Sequence, residues 1–162
     1  MEENGKSAKV FIHGLESSSR GTKGAFFREK HPDMIVEDFF GTFDQRMAKL
    51  DSLLVGKKDL ILVGSSYGGL MATVFALLNK EKVKKMVLLA PALDHMPLEM
   101  RKINRLSIPV TIYHGSRDDV VPAGEVHEIA RKLFTGLTWS LVDDDHPLHK
   151  TFLNLNWDDL LS

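Results

Sequence analysis

Short apolar runs closed by turn residues recur along the chain at residues 10–13, 34–40, 60–64, 86–90, 110–114 and 138–142. They are near-continuous rather than alternating, which predicts strands covered on both faces, as in a parallel sheet flanked by helices. The stretches between them carry a helical period. Met47, Leu50 and Leu54 fall on one face behind a capping box formed by Thr42 and Gln45. Pro122 suits a first helical turn, and Val126, Ile129, Ala130 and Leu133 then mark an apolar stripe opposite charged residues. Residues 70–78 are apolar all round, which predicts the most buried helix.

Strand and helix alternate over the whole length, so right-handed crossovers build an α/β fold. The expected architecture is a doubly wound, mostly parallel sheet of about six strands flanked by helices. One domain over 1–162 is expected, with no repeat or linker; the one long irregular stretch, residues 15–24, is rich in Ser and Gly.

Composition narrows the function. With 43% hydrophobic and 27% charged residues in 162, the chain has the profile of a soluble globular protein. A net charge of -1 gives no long-range field for a polyanion or an anionic membrane surface, so nucleic acid and membrane are not expected partners. The absence of cysteine excludes disulfides, thiolate metal sites and a cysteine nucleophile. The polar start MEENGKSAK lacks the apolar run of a signal peptide, and no window reaches the roughly 18 apolar residues of a membrane span, so the expected location is cytoplasmic.

The chemistry concentrates after the third run. Gly64-Ser65-Ser66-Tyr67-Gly68 matches G-x-S-x-G between a predicted strand and a predicted helix. A serine on that turn takes strained backbone angles that lift its hydroxyl above the sheet, and small neighbours leave room for the bend. The hydroxyl needs a base to take its proton and a carboxylate to orient the base. Asp118, in His114-Gly115-Ser116-Arg117-Asp118-Asp119-Val120-Val121-Pro122, and His146, in Asp145-His146-Pro147-Leu148, both follow strand ends. Carboxyl ends of parallel strands converge on one crevice, which allows positions 66, 118 and 146 to meet.

The first strand ends in His13-Gly14-Leu15, and with this fourth motif the chain resembles the α/β-hydrolase superfamily from position 13 to position 148. The chain order Ser, Asp, His is the one that superfamily uses. The resemblance implies a small, cap-less serine esterase or thioesterase with a Ser66, His146, Asp118 triad. It also implies an oxyanion hole from the backbone N–H groups of Leu15 and Tyr67. No cofactor or metal is needed, and the implied substrate is a small-molecule or protein-linked acyl ester or thioester. The chain departs from the usual pattern in two ways: its sheet would begin at the family's third strand, and only 17 residues separate Ala90 from Ile108.

Competing assignments stay open at this point. Ser65 stands beside Ser66, His149 beside His146, and Asp94, after the fourth run, is an alternative acid. His95 and His127 are less well placed, and His114 is expected to close its strand structurally. Arg20 and Lys23 could hold a substrate anion together with amides at the next helix start. The acidic run Asp143, Asp144 and Asp145 is expected to decorate a turn rather than orient His146. Trp139 and Trp157 are expected in core or docking roles. The alternative to an enzyme is a non-catalytic binding module on the same scaffold.

Overall fold

The computed structural model describes residues 5–103 and 105–162. Six strands, β1 (Lys6–Ile12), β2 (Ile35–Val36), β3 (Lys57–Ser65), β4 (Val83–Leu89), β5 (Leu106–Gly115) and β6 (Phe134–Val142), form one sheet. The order is β2-β1-β3-β4-β5-β6 and every pairing is parallel. The chain winds outward from β1 to the β2 edge, then crosses back to β3 and continues to the other edge. The reversal lies between β1 and β3, where neighbouring strand ends lead away in opposite directions and leave a crevice.

Alternate residues of the central strands point to opposite faces, and both faces are apolar. Val10 and Ile12, Leu60 and Leu62, Met86 and Leu88 pack under α2 (Phe43–Leu54), α3 (Tyr67–Leu78) and α5 (Ala123–Leu133). Phe11, Ile61, Val63, Val87 and Leu89 face the other layer, where α1 (Thr22–Lys30) and the C-terminal α6 (Thr151–Asn154) and α7 (Trp157–Leu160) contribute Phe27, Phe152 and Trp157. This double coverage is why the strand runs lack polar alternation. The expected capping box at Thr42 and Gln45 forms, and Val126, Ile129, Ala130 and Leu133 are the buried face of α5. In α3 all residues from Gly68 to Leu77 are buried.

Several boundaries move. The run at 34–40 supplies only two paired residues, because beyond Val36 side chains take over as partners. Asp38 accepts the Ser19 N–H at 2.7 Å, and the Phe39 N–H donates to His13 Nε2 at 2.9 Å. Helix α1 begins at Thr22, so the irregular loop is shorter than residues 15–24. Pro122 sits at the N-cap of α5 rather than inside it. Between β4 and β5 the chain carries a 3-10 turn, Leu93–His95, and the short α4 (Leu98–Ile103).

The aromatic layer under α1 is the place to test packing. Phe27 is fully buried, with ring centroids 5.0 Å from Phe11, 4.8 Å from Trp157 and 5.5 Å from Phe152. Phe27→Ala should cost about 3–5 kcal/mol in urea unfolding, since no neighbour is free to fill the void. A loss under about 1 kcal/mol would contradict this packing.

Candidate active site

Ser66 occupies the bend between β3 and α3 with φ 55° and ψ -115°. A β-carbon makes that region unfavourable, so the conformation persists only if the surroundings impose it. They do so from both sides. The Ser66 N–H donates to Leu89 O at 2.9 Å, and its carbonyl accepts from Gly69 N at 2.9 Å, Ala92 N at 2.9 Å and Leu70 N at 3.3 Å. The bend also needs α3 to start hard against the sheet, and a Cβ on Gly68 would run into the carbonyl oxygen of Ile12. Glycine is therefore required at 68 by close approach.

Two further loops reach the Ser66 hydroxyl. His146 Nε2 lies 3.1 Å from Ser66 Oγ, and His146 Nδ1 lies 2.6 Å from Asp118 Oδ2. A carboxylate only accepts, so Nδ1 carries the ring proton and Nε2 is left to accept from the hydroxyl. The Asp118 side chain is fully buried, and its other oxygen accepts the N–H groups of Val120 at 2.9 Å and Val121 at 2.8 Å. Those bonds fold the loop after β5 into a turn and hold the carboxylate in one orientation.

The loop after β1 comes within contact range, because a Cβ on Gly14 would stand 3.4 Å from Ser66 Cβ. Its backbone is set by His13, which is buried. His13 Nδ1–H donates to Gly14 O at 2.7 Å and Nε2 accepts from Phe39 N–H. Burial holds the His13 pKa below its ordinary value, and a neutral ring is what this pair of bonds requires. In a trans peptide the N–H points opposite to the carbonyl. Fixing the Gly14 carbonyl therefore fixes the direction of the Leu15 N–H. Among the described hydrogen bonds the N–H groups of Leu15 and of Tyr67, the first residue of α3, donate to no protein acceptor.

Residues 14–106, more than half of the chain, match the family model described as the alpha/beta hydrolase fold. The chain belongs to this family. Among solved structures, this α/β-hydrolase is similar to alpha/beta hydrolase domain-containing protein 10 from mouse, with 22% identity and a TM-score of 0.75 over 97% of this chain and 90% of that one. A YdeN-like hydrolase from Pectobacterium atrosepticum gives 19% identity and 0.72 over 96% and 88%. Est1E from Butyrivibrio proteoclasticus gives 16% and 0.73 over 96% and 86%. At these identities the likeness is one of fold.

Ser65 ends β3. His149 is exposed and pairs with Asp145 at 2.6 Å, while His95 lies 3.8 Å from Asp94; no described hydrogen bond links either histidine to Ser66. Asp94 makes no described contact with His146, and Asp119 is exposed without capping α5. The Lys23 ammonium donates to Pro147 O at 2.6 Å and lies over the Phe152 ring, so one of its three N–H donors is spent within the protein. Lys23 thus ties α1 to the loop that carries His146, and Arg20 stays exposed.

The acidic run also departs from expectation. Asp144 is buried and accepts N–H bonds from Asp145 at 2.8 Å, Thr151 at 2.8 Å and Lys150 at 3.1 Å. It organises the turn that presents His146, a role that three consecutive aspartates in a sequence do not reveal. Burial alone would raise its pKa, but the hydrogen bonds from Thr151 and Asp145 win and hold it down at about 2. A carboxyl depressed in the folded state contributes stability above its unfolded pKa and loses it as pH falls through the folded one. Asp144→Asn should therefore be about 2 kcal/mol less stable than the parent at neutral pH. The gap should close between about pH 4 and pH 2, read by urea midpoints across that range; a constant gap would contradict the assignment.

Proposed function

We propose that this α/β-hydrolase is a cap-less, single-domain serine hydrolase that cleaves carboxylic esters or thioesters through an acyl-enzyme. What supports the reading is the unbroken hydrogen-bond chain from Ser66 through His146 to Asp118, on a serine held at positive φ. A protein that only binds a ligand has no need for a serine so placed.

In the proposed reaction Ser66 Oγ attacks the acyl carbon while its proton passes to His146 Nε2. The charge that develops on the carbonyl oxygen meets the N–H groups of Leu15 and Tyr67. Asp118 holds the imidazolium through Nδ1–H. As the tetrahedral intermediate collapses, the C–O or C–S bond breaks and His146 gives its proton to the departing alkoxide or thiolate. Water then adds to the acyl-enzyme with His146 again as base, releasing the acid and restoring the serine hydroxyl. Each donor aimed at the oxyanion contributes on the order of 3 kcal/mol in sites of this kind.

The substrate reading follows from the rim. Leu15, Phe40, Leu98 and Val120 are between 53% and 65% exposed. They follow the carboxyl ends of β1, β2, β4 and β5, on either side of the strand that leads into Ser66. Exposed apolar side chains in the segments that follow these strand ends suit an apolar acyl group lying across the surface. The short β4–β5 connection leaves those strand ends open, which suits small or protein-linked acyl groups.

A fluorophosphonate probe should label the folded protein, and Ser66→Ala should abolish labelling; an unlabelled wild type would favour a binding module instead. On p-nitrophenyl esters and acyl thioesters, butanoyl and hexanoyl groups should turn over faster than acetyl, with Phe40→Ala narrowing the difference. Equal rates at all lengths would sink the rim assignment. Because His146 must be neutral to accept the serine proton, kcat/KM should climb with pH along an acid limb, and a flat profile would count against it as base.

A further inference from the structure

His114 ends the apolar run of β5 and lies wholly inside the protein. Its Nε2 stands 3.2 Å from Asp118 Oδ2, the same oxygen that accepts from His146, and 3.0 Å from Val121 O. Both neighbours are acceptors, so Nε2 must carry the proton; its hydrogen bond goes to Val121 O, and the Asp118 oxygen lies beside it in close contact with the N–H dipole. Nδ1 is then a bare acceptor, and among the described residues it has no partner. The ring is stacked on Trp139 of β6, centroids 5.7 Å apart and 23° between planes, and Trp139 is stacked in turn on His127 of α5 at 4.4 Å and 13°.

We propose that His114 is a positioning residue for the triad acid: its Nε2–H balances charge on Asp118 Oδ2 from the side opposite His146 and fixes how strongly that oxygen holds the His146 ring. The proposal rests on the serine-hydrolase reading of the site. Three observations carry it. The oxygen that orients the base is approached by two ring nitrogens. One of those rings is fully buried and clamped by stacking, so it cannot swing away. Its polarity is settled, because protonation at Nδ1 would bury a second N–H with nothing to accept it, and burial accordingly keeps His114 below its ordinary pKa. The charged or titratable groups facing this cluster are Asp118 itself, His146, the Asp94 carboxylate and, behind Trp139, His127.

The consequence has a definite sign. Without the Nε2–H, Asp118 Oδ2 carries more uncompensated charge and favours the imidazolium over neutral His146. His114→Phe keeps the ring stack and loses the donor, whereas His114→Gln loses the stack and can place an amide N–H near the Nε2 position.

In His114→Phe, kcat measured at a pH on the acid limb should fall about threefold with KM little changed, because more of the resting base is then imidazolium. The acid limb of the kcat profile should also move to higher pH by roughly half a unit or more. His114→Gln should restore most of both. Nitrogen-15 NMR of labelled histidine supplies a readout that needs no turnover. In wild type, His114 should show the Nε2–H tautomer at neutral pH, and in His114→Phe the titration of the His146 ring signals should move upward. An unmoved His146 titration, a His114 found in the Nδ1–H tautomer, or a Gln variant no better than Phe would overturn the proposal. If His114→Phe does not fold, the wild-type tautomer and the Gln variant decide it. A wild type that neither labels nor hydrolyses esters, with the NMR shifts as expected, would refute the hydrolase reading and leave the His114–Asp118 coupling standing.

Discussion

The site depends on one steric fact: α3 begins so close to the carboxyl end of β1 that no side chain fits at Gly68. That approach forces the chain to turn sharply after β3 and puts Ser66 into a conformation a serine would not choose. The same contact brings the His13-Gly14-Leu15 loop against Ser66. The strain at residue 66 is met by four backbone hydrogen bonds to β4, α3 and the segment after β4. Sheet and helices were assembled by burial of two apolar faces, and part of that energy is held locally as a serine lifted clear of the sheet.

Around this bend the structure relies on histidines whose protons are fixed by geometry. His13 and His114 are both buried, both kept neutral by burial, and each is committed to one tautomer by its neighbours. His13 sets the peptide that aims the Leu15 N–H; His114 backs the Asp118 carboxylate. His146, partly exposed, bridges Ser66 and Asp118. Buried rings with assigned donor and acceptor ends act here as rigid spacers, which a flexible polar side chain could not do.

Much of this was legible from the residues alone. The strand runs were readable because both sheet faces are covered, and the serine turn was readable because its glycines are demanded by close approach. Asp118 and His146 both follow strand ends, and the Ser, Asp, His order of the superfamily that the chain resembles singled them out from the other candidates. What escaped was set by contacts between distant segments. Lys23 looks like a free cation until Pro147 O is found 124 residues further on. Asp144 is indistinguishable in sequence from Asp143 and Asp145, yet it alone is buried under three N–H donors. The run at 34–40 looked like a full strand, and only the side-chain partners of Ser19 and Phe39 explain why pairing stops at Val36.

The short connection between β4 and β5 has a consequence for the electrostatics of the crevice. With only a 3-10 turn and α4 described there, that connection is too short to fold a further domain over Ser66, so in the proposed reaction solvent would reach the developing charge. In that reaction water would screen the proposed oxyanion donors, so each would act in a higher dielectric than beneath a lid. The exchange would be speed of exit: under the same proposal a departing product meets no gate, and occupancy would be set by diffusion and surface adhesion rather than by the opening of a cover.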